Sequence, residues 1–197
     1  MTIYRQFWVT YRKRLLVYSL LCVALATGNA LFWLHKWHKQ GVELCFADTM
    51  MTGVQPSFLL MLLIPPTLGL VHQLKFILEQ PFVICALDNR SRLARNLLAA
   101  LLFIAFRAVM AVSIPSIALG ALLFRGSKPC TWESGASYYA YMTGQTLITP
   151  VKTGSLIVWQ AMTIWLTVLL VSILFLSINL SCESHQLGSI LSWGVCL

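Results

Sequence analysis

Charged residues are scarce in this chain, making up 10% of its 197 residues, against about 25% in ordinary soluble domains. Acidic residues are the scarcer sign, with 6 Asp and Glu against 14 Lys and Arg. Hydrophobic residues make up 58% of the chain, and its mean hydropathy is +0.78. This composition excludes a disordered chain and a soluble coiled coil. A polytopic membrane protein is favoured, because each transmembrane helix takes about 20 apolar residues.

Sequence signatures of catalysis are also missing. The chain contains no Gly-x-x-x-x-Gly-Lys-Ser/Thr loop for nucleotide phosphates, no His-Glu-x-x-His, no Gly-x-Ser-x-Gly and no Cys-x-x-Cys. We therefore expect neither an enzyme nor a cofactor in this chain. His35 and His38 have the spacing of a metal-ligand pair, but a metal site needs three or four ligands. No metal site is predicted, and the two histidines are interpreted as interfacial anchors.

Apolar runs predict an all-α fold, a single transmembrane helical bundle that covers residues 1–197. Four runs are long enough to span a bilayer, whereas the last one, of about 11 residues, is too short. The predicted spans are 15–34, 56–74, 97–124 and 155–180, and the partial fifth is 187–197. The first run also resembles a signal peptide, but it continues to Leu34, so we expect it to remain as a span. Aromatic and basic residues at helical spacing predict an amphipathic interfacial helix over 1–14.

Basic residues lie at the ends of the apolar runs, which predicts the orientation of the chain. With a cytoplasmic N-terminus, eight Lys and Arg lie inside, in the N-terminal segment and the 75–96 loop, and five lie outside. The positive-inside rule favours this orientation, and we place the protein in the cell membrane, in contact with membrane lipids. No nucleic-acid partner is expected, because no basic stripe is interleaved with exposed aromatic residues.

The loops predicted to lie outside contain two pairs of reactive side chains. Cys45 and Cys130 both fall in these loops and could form a disulfide, whereas the other cysteines are interpreted as small apolar packing residues. Glu43 and Asp48 share one loop, as in a paired-acid site, but a solvated loop is the favoured interpretation.

The loop between the second and third predicted spans has the composition of a short docking helix. Pro81 suits the first turn of a helix, and Phe82 and Cys85 share one face of it. A basic cluster follows, formed by Arg90, Arg92 and Arg95. Spacing alone leaves two interpretations, a docking element for another protein or a stop signal whose arginines anchor lipid headgroups.

The order of these features resembles the membrane subunit of an ATP-binding-cassette exporter with the type-2 permease fold. The similarity covers residues 1–180, and its most specific part is Arg90-Ser91-Arg92 followed by Arg95. This cluster is similar to one that many small bacterial permeases carry just before the third span. Such subunits usually have six spans, whereas this sequence predicts four and part of a fifth.

The resemblance implies a function and a set of partners. Pro81 to Asp88 would be the coupling helix that seats in a separate ATP-binding subunit. The permease subunit would form a homodimer, or a heterodimer with a sister permease. Hydrolysis of ATP by the partner would drive export of an amphipathic cargo, either a lipid or a peptide-like molecule.

Arg107 lies ten residues into the third predicted span. A mid-membrane arginine costs about 2.5–3.5 kcal/mol on insertion scales, so it should face protein or a wet cavity. In the functional interpretation it lies on a translocation path, together with the polar Asn29, and contacts an anionic group of the cargo or of a lipid. In the structural interpretation it is satisfied by Asn29, Gln160, Asn179 or a carbonyl near Pro115.

A non-transporting scaffold of four spans is the alternative function. It predicts a partner without ATPase activity and no solvent path near Arg107. An intramembrane enzyme acting on lipids ranks last, because Arg107 is the only Lys, Arg, Asp or Glu within the predicted spans.

Overall fold

The computed structural model describes residues 3–78, 90–125, 130–146 and 151–181. All regular secondary structure among these residues is helical, which confirms the all-α prediction. The elements are α1 (Ile3–Lys39), α2 (Phe46–Thr52), α3 (Ile64–Leu78), α4 (Arg90–Leu123), α5 (Tyr138–Thr143) and α6 (Thr153–Ser181). A π-helical segment (Phe58–Leu63) leads directly into α3.

Three helices in the described part are long and apolar enough to cross a membrane. They are Arg12–Lys39 within α1, Arg95–Leu123 within α4 and Thr153–Asn179 within α6, and by length and composition they identify a multi-pass membrane protein. The predicted span 56–74 corresponds to a shorter apolar helix, Phe58–Leu74. The expected four complete spans are therefore not confirmed, and the partial fifth at 187–197 lies outside the described residues.

The connection between α1 and the π-helical segment turns back into the bundle. We call residues 40–57, which include α2, the re-entrant segment. The Asn29 Nδ2 donates a hydrogen bond of 2.9 Å to the Thr52 carbonyl, and Asn29 lies ten residues, or ~15 Å, before the end of α1. A Cβ at Gly53 would lie 2.9 Å from Val112 Cγ1, ~16 Å before the end of α4. The chain therefore starts its second crossing well inside the bundle.

The helices alternate in direction and define two ends. The cap end is where α1 and α4 end and α6 begins, and it carries the cap, which we define as residues 40–57 and 130–146. The base end is opposite. All acidic residues in the described ranges lie in the cap, namely Glu43, Asp48 and Glu133. The base-end parts of the helices carry only basic residues among their described charges, namely Arg5, Arg12, Lys13, Arg14, Lys75, Arg90, Arg92 and Arg95.

Two apolar cores hold this arrangement together. The larger lies between α1, α3, α4 and α6, with Leu68, Val112 and Phe175 among its buried members. A smaller core under the cap is built around Trp37 and Trp132.

The N-terminal residues are helical from Ile3, but no break separates them from the first span. Helix α1 continues without interruption through Arg14 to Lys39. An interfacial orientation of residues 1–14 stays a prediction.

Candidate functional site

A groove of about 470 Å³ lies between α1 and α4. Helix α1 lines it with Ser19, Val23 and Thr27, which share one face at a spacing of four. Helix α4 lines it at helical spacing with Arg107, Met110, Ala111, Ile114, Pro115, Ala118, Leu119 and Leu122. Small side chains on both helices, such as those of Ser19 and Ala118, leave room for the groove.

The groove opens sideways rather than toward either end of the bundle. Its rim residues Val23, Ile114 and Leu122 are exposed by 37%, 54% and 75%. In a membrane these side chains would face lipid tails, because they project from the middle and upper parts of membrane-spanning helices. A molecule that reaches the groove would therefore arrive from within the bilayer.

Arg107 is the charged residue of the groove. It lies 12 residues after Arg95 and 16 before Leu123, or ~18 Å and ~24 Å from the ends of that span. The side chain is half-buried, and its guanidinium carbon lies 5.4 Å from the centre of the Phe103 ring, within cation–π range. The nearby Ser19 hydroxyl donates to the Leu15 carbonyl of its own helix at 2.9 Å. The groove thus has apolar walls and one cation at mid-depth.

The amides considered as partners for Arg107 make contacts with the backbone and with other helices. Asn29 joins α1 to the re-entrant segment and does not line the groove. Gln160 Nε2 lies 3.4 Å from Ser116 Oγ, while the buried Gln160 Oε1 accepts no hydrogen bond. Asn179 Nδ2 donates to the Phe175 carbonyl at 2.9 Å. These contacts connect helices or stay within one, and Gln160 Oε1 does not accept a hydrogen bond from Arg107.

The predicted coupling segment is only partly visible. Pro81, Phe82, Cys85 and Asp88 lie outside the described residues. Arg90, Arg92 and Arg95 form the start of α4, and the Arg95 side chain is exposed. The arginine cluster and Arg107 are therefore on one unbroken helix of 34 residues.

The cap contains a buried carboxylate that sequence reasoning placed in a solvated loop. Asp48 is fully buried. Its Oδ1 accepts from Trp132 Nε1 at 2.7 Å, and its Oδ2 accepts from the Cys45 backbone N–H at 2.7 Å. Burial raises the pKa of Asp48, and these hydrogen bonds only partly oppose the rise. The sequence contains one sign of this role, because Asp48 is the third residue of α2. A carboxylate at that position can accept a hydrogen bond from the backbone N–H of the N-cap residue.

Glu43 and Asp48 do not form a paired-acid site. Glu43 Oε2 accepts from Ser134 Oγ at 2.8 Å, and the Glu43 N–H donates to the Ala136 carbonyl at 2.8 Å. Each carboxylate thus joins the re-entrant segment to a different point of 130–146. The two acids connect the halves of the cap.

Close backbone contacts seat the cap on the bundle. A Cβ at Gly120 of α4 would lie 2.6 Å from the Phe46 ring and 2.8 Å from Thr49 Oγ1. Because Gly120 has no side chain, α2 packs directly on the α4 backbone. This contact holds the same part of α4 that lines the groove through Ala118 and Leu122.

No metal centre is present among the described residues. His35 and His38 are exposed near the end of α1, and no group of three or more potential metal ligands occurs in the ranges that the structure covers.

Comparisons of the chain with protein-family models, with curated proteins and with solved structures found no match.

Proposed function

We propose that this chain is the membrane subunit of an ATP-driven exporter of amphipathic molecules. The observation that carries the proposal is Arg107 in a sideways-open groove near the middle of α4. A cation at this depth costs about 2.5–3.5 kcal/mol on insertion scales, and a bound anionic group offsets that cost. The apolar walls suit a hydrocarbon tail, and the guanidinium suits its charged end.

The charge distribution supports a cytoplasmic base and an outer cap in the cell membrane. Basic residues at the base are unaccompanied by described acidic residues, whereas the cap end has acidic residues in the cap and basic residues, such as Lys39, Arg125 and Lys152, beside it. Cytoplasmic flanks of membrane helices are enriched in Lys and Arg. This orientation places the arginine cluster on the side where ATP is available.

Helix α4 links the groove to the base, where an ATPase would dock. Its first residues are the arginine cluster, and Arg107 lies on the same helix. A push or tilt applied at Arg95 would move one wall of the groove relative to α1. The resemblance to type-2 permeases adds a separate ATP-binding subunit and a dimer partner to this picture.

The groove favours transport over a non-transporting scaffold. A scaffold needs lipid-facing surfaces and partner contacts, but it does not need a cavity beside a mid-membrane cation. The scaffold hypothesis predicts no solvent path near Arg107, and a groove that faces lipid does not test that prediction, so the ATPase partner is the discriminating observation.

The test is purification of the affinity-tagged chain from its native membranes in mild detergent. We expect an ATPase subunit with a phosphate-binding loop to co-purify in fixed ratio and to hydrolyse ATP. The triple change Arg90→Ala, Arg92→Ala and Arg95→Ala should remove that subunit. The matched control replaces three exposed cations near the cap end, Lys39, Arg125 and Lys152, and should retain it.

Recovery of the intact wild-type assembly without any ATPase subunit would contradict the proposal. Equal loss of the ATPase in the base triple and the cap triple would also contradict it, because docking would then not depend on the base.

A further inference from the structure

Cys45 and Cys130 meet in the cap although 85 positions separate them in the sequence. The Cys45 side chain is fully buried, whereas that of Cys130 is half-buried, and both are free thiols in the structure. Both pack into the smaller apolar core.

Hydrogen bonds on either side hold the two cysteine-bearing segments together. Asp48, three residues after Cys45, accepts from Trp132, two residues after Cys130. Glu43, two residues before Cys45, accepts from Ser134. The two cysteine-bearing segments are therefore held side by side. A disulfide needs Cβ atoms about 3.5–4.5 Å apart, and segments held in this way can bring the two cysteines within that range.

We propose that Cys45 and Cys130 form a disulfide bond that ties the re-entrant segment to the connection between α4 and α6. The bond forms where the cap faces an oxidising compartment, so this inference rests on the outward orientation in the proposed function. It would fix the cap across the top of α4, close to the wall of the groove.

The reaction balances with an external disulfide as the oxidant, either a small molecule or a thiol–disulfide exchange protein. The Cys130 thiolate attacks the external disulfide, forms a mixed disulfide and releases one thiolate. Cys45 then loses its proton and attacks the Cys130 sulfur, which expels the second thiolate. The chain loses two electrons and two protons, and the oxidant becomes two thiols.

The surroundings favour this order of attack. Cys130 is the more exposed thiol, and reaction with an outside partner requires access. Burial raises the pKa of Cys45 to about 12, so that thiol is a poor first nucleophile. The Asp48 Oδ2 accepts a hydrogen bond from the Cys45 backbone N–H at 2.7 Å, so a carboxylate lies beside Cys45 when its proton leaves in the second step.

Cys22 provides the internal control. It is buried in α1 within the larger core, away from the cap. Its replacement by serine should leave a Cys45–Cys130 bond unchanged.

The test uses the full chain in its native membranes. Cells are quenched with iodoacetamide, and the protein is unfolded, digested without reductant and examined by mass spectrometry. We expect a linked pair of peptides containing Cys45 and Cys130, lighter than the two separate peptides by two hydrogens. The pair should separate on reduction, persist in Cys22→Ser and be absent in Cys130→Ser. Alkylation of both cysteines in unreduced wild-type protein would overturn the proposal.

A second arm separates this inference from the proposed function. Purified, reduced wild-type protein is treated with oxidised glutathione and digested in the same way. Thiols that are free in cells but link in this arm would overturn both the disulfide and the outward orientation of the cap. Thiols that stay free in both arms would overturn the disulfide through its geometry and leave the exporter proposal intact.

Discussion

Replacing Arg107 should have opposite effects on membrane insertion and on binding. In Arg107→Ala the mid-membrane cation disappears, along with an insertion cost of about 2.5–3.5 kcal/mol. The variant should therefore insert at least as well as the wild type. Binding of an anionic amphiphile should weaken, because a hydrogen bond to a charged group contributes about 1.5–3 kcal/mol, or about 10- to 150-fold in affinity.

The assay compares two photoreactive probes with the protein in lipid nanodiscs. One is a diazirine-labelled fatty acid, which carries a carboxylate, and the other is the corresponding fatty alcohol. After illumination, mass spectrometry counts adducts on the groove face of α4 near Met110 and Ile114. Wild-type protein should be labelled more strongly by the acid than by the alcohol, and Arg107→Ala should lose that difference.

Two control variants sharpen the comparison. Arg107→Lys retains the charge but loses the planar fork of donors, so it should retain part of the preference for the acid. Arg125→Ala removes an exposed cation just beyond α4 and outside the groove, and it should behave as wild type. The reasoning is refuted if acid and alcohol label the wild type equally, or if Arg107→Ala keeps the preference.

Three further predictions concern the cap and the bundle, each checked by thermal unfolding in detergent. Gly120→Leu should destabilise the fold by about 1–3 kcal/mol through overpacking against α2, whereas Gly28→Ala, with nothing within 4 Å of the new Cβ, should not; equal effects would contradict the packing account. The pKa of Asp48 is higher in the folded protein than its ordinary value of 3.8, so ionisation of this carboxyl group opposes folding. The free energy of unfolding should therefore fall as the pH rises from 3.8 through the raised pKa. Trp132→Phe removes a donor to that carboxylate, so it should cost about 1–3 kcal/mol near neutral pH and less below about pH 4; a loss independent of pH would exclude this role. Tyr18→Phe removes the buried 2.9 Å hydrogen bond to Thr67 and should cost about 1 kcal/mol at any pH, so an unchanged melting temperature would argue against that bond.

Apolar run length was sufficient to predict the all-α class and the three long helices. Run length does not give the depth at which a helix starts, and the second predicted span, 56–74, is not confirmed as a complete crossing. Residues 46–52 are short and partly polar, so they were assigned to a loop, although α2 is packed against α4. The contacts that draw this segment inward, through Gly53 and Gly120, join positions far apart in sequence.

The candidate site was predictable only in part. The depth of Arg107 follows from counting residues along an apolar run, because a helix rises by a fixed distance per residue. The groove beside it depends on which face of α1 meets α4, and that brings Ser19 and Thr27 to its wall. The burial of Asp48 likewise depends on Trp132, 84 positions away, which no local pattern reveals.

The central claim is that ATP binding by a partner subunit docked at the base changes the width of the groove beside Arg107. The most direct measurement attaches spin labels at Val23→Cys and Ile114→Cys, on opposite walls of the groove, in a chain otherwise free of reactive cysteines. The distance between the labels is then measured in the purified native assembly with and without a non-hydrolysable ATP analogue. The account predicts a shift in the distance distribution on nucleotide binding, and the shift should be absent when Arg90, Arg92 and Arg95 are replaced by alanine. An identical distribution in both nucleotide states would contradict it.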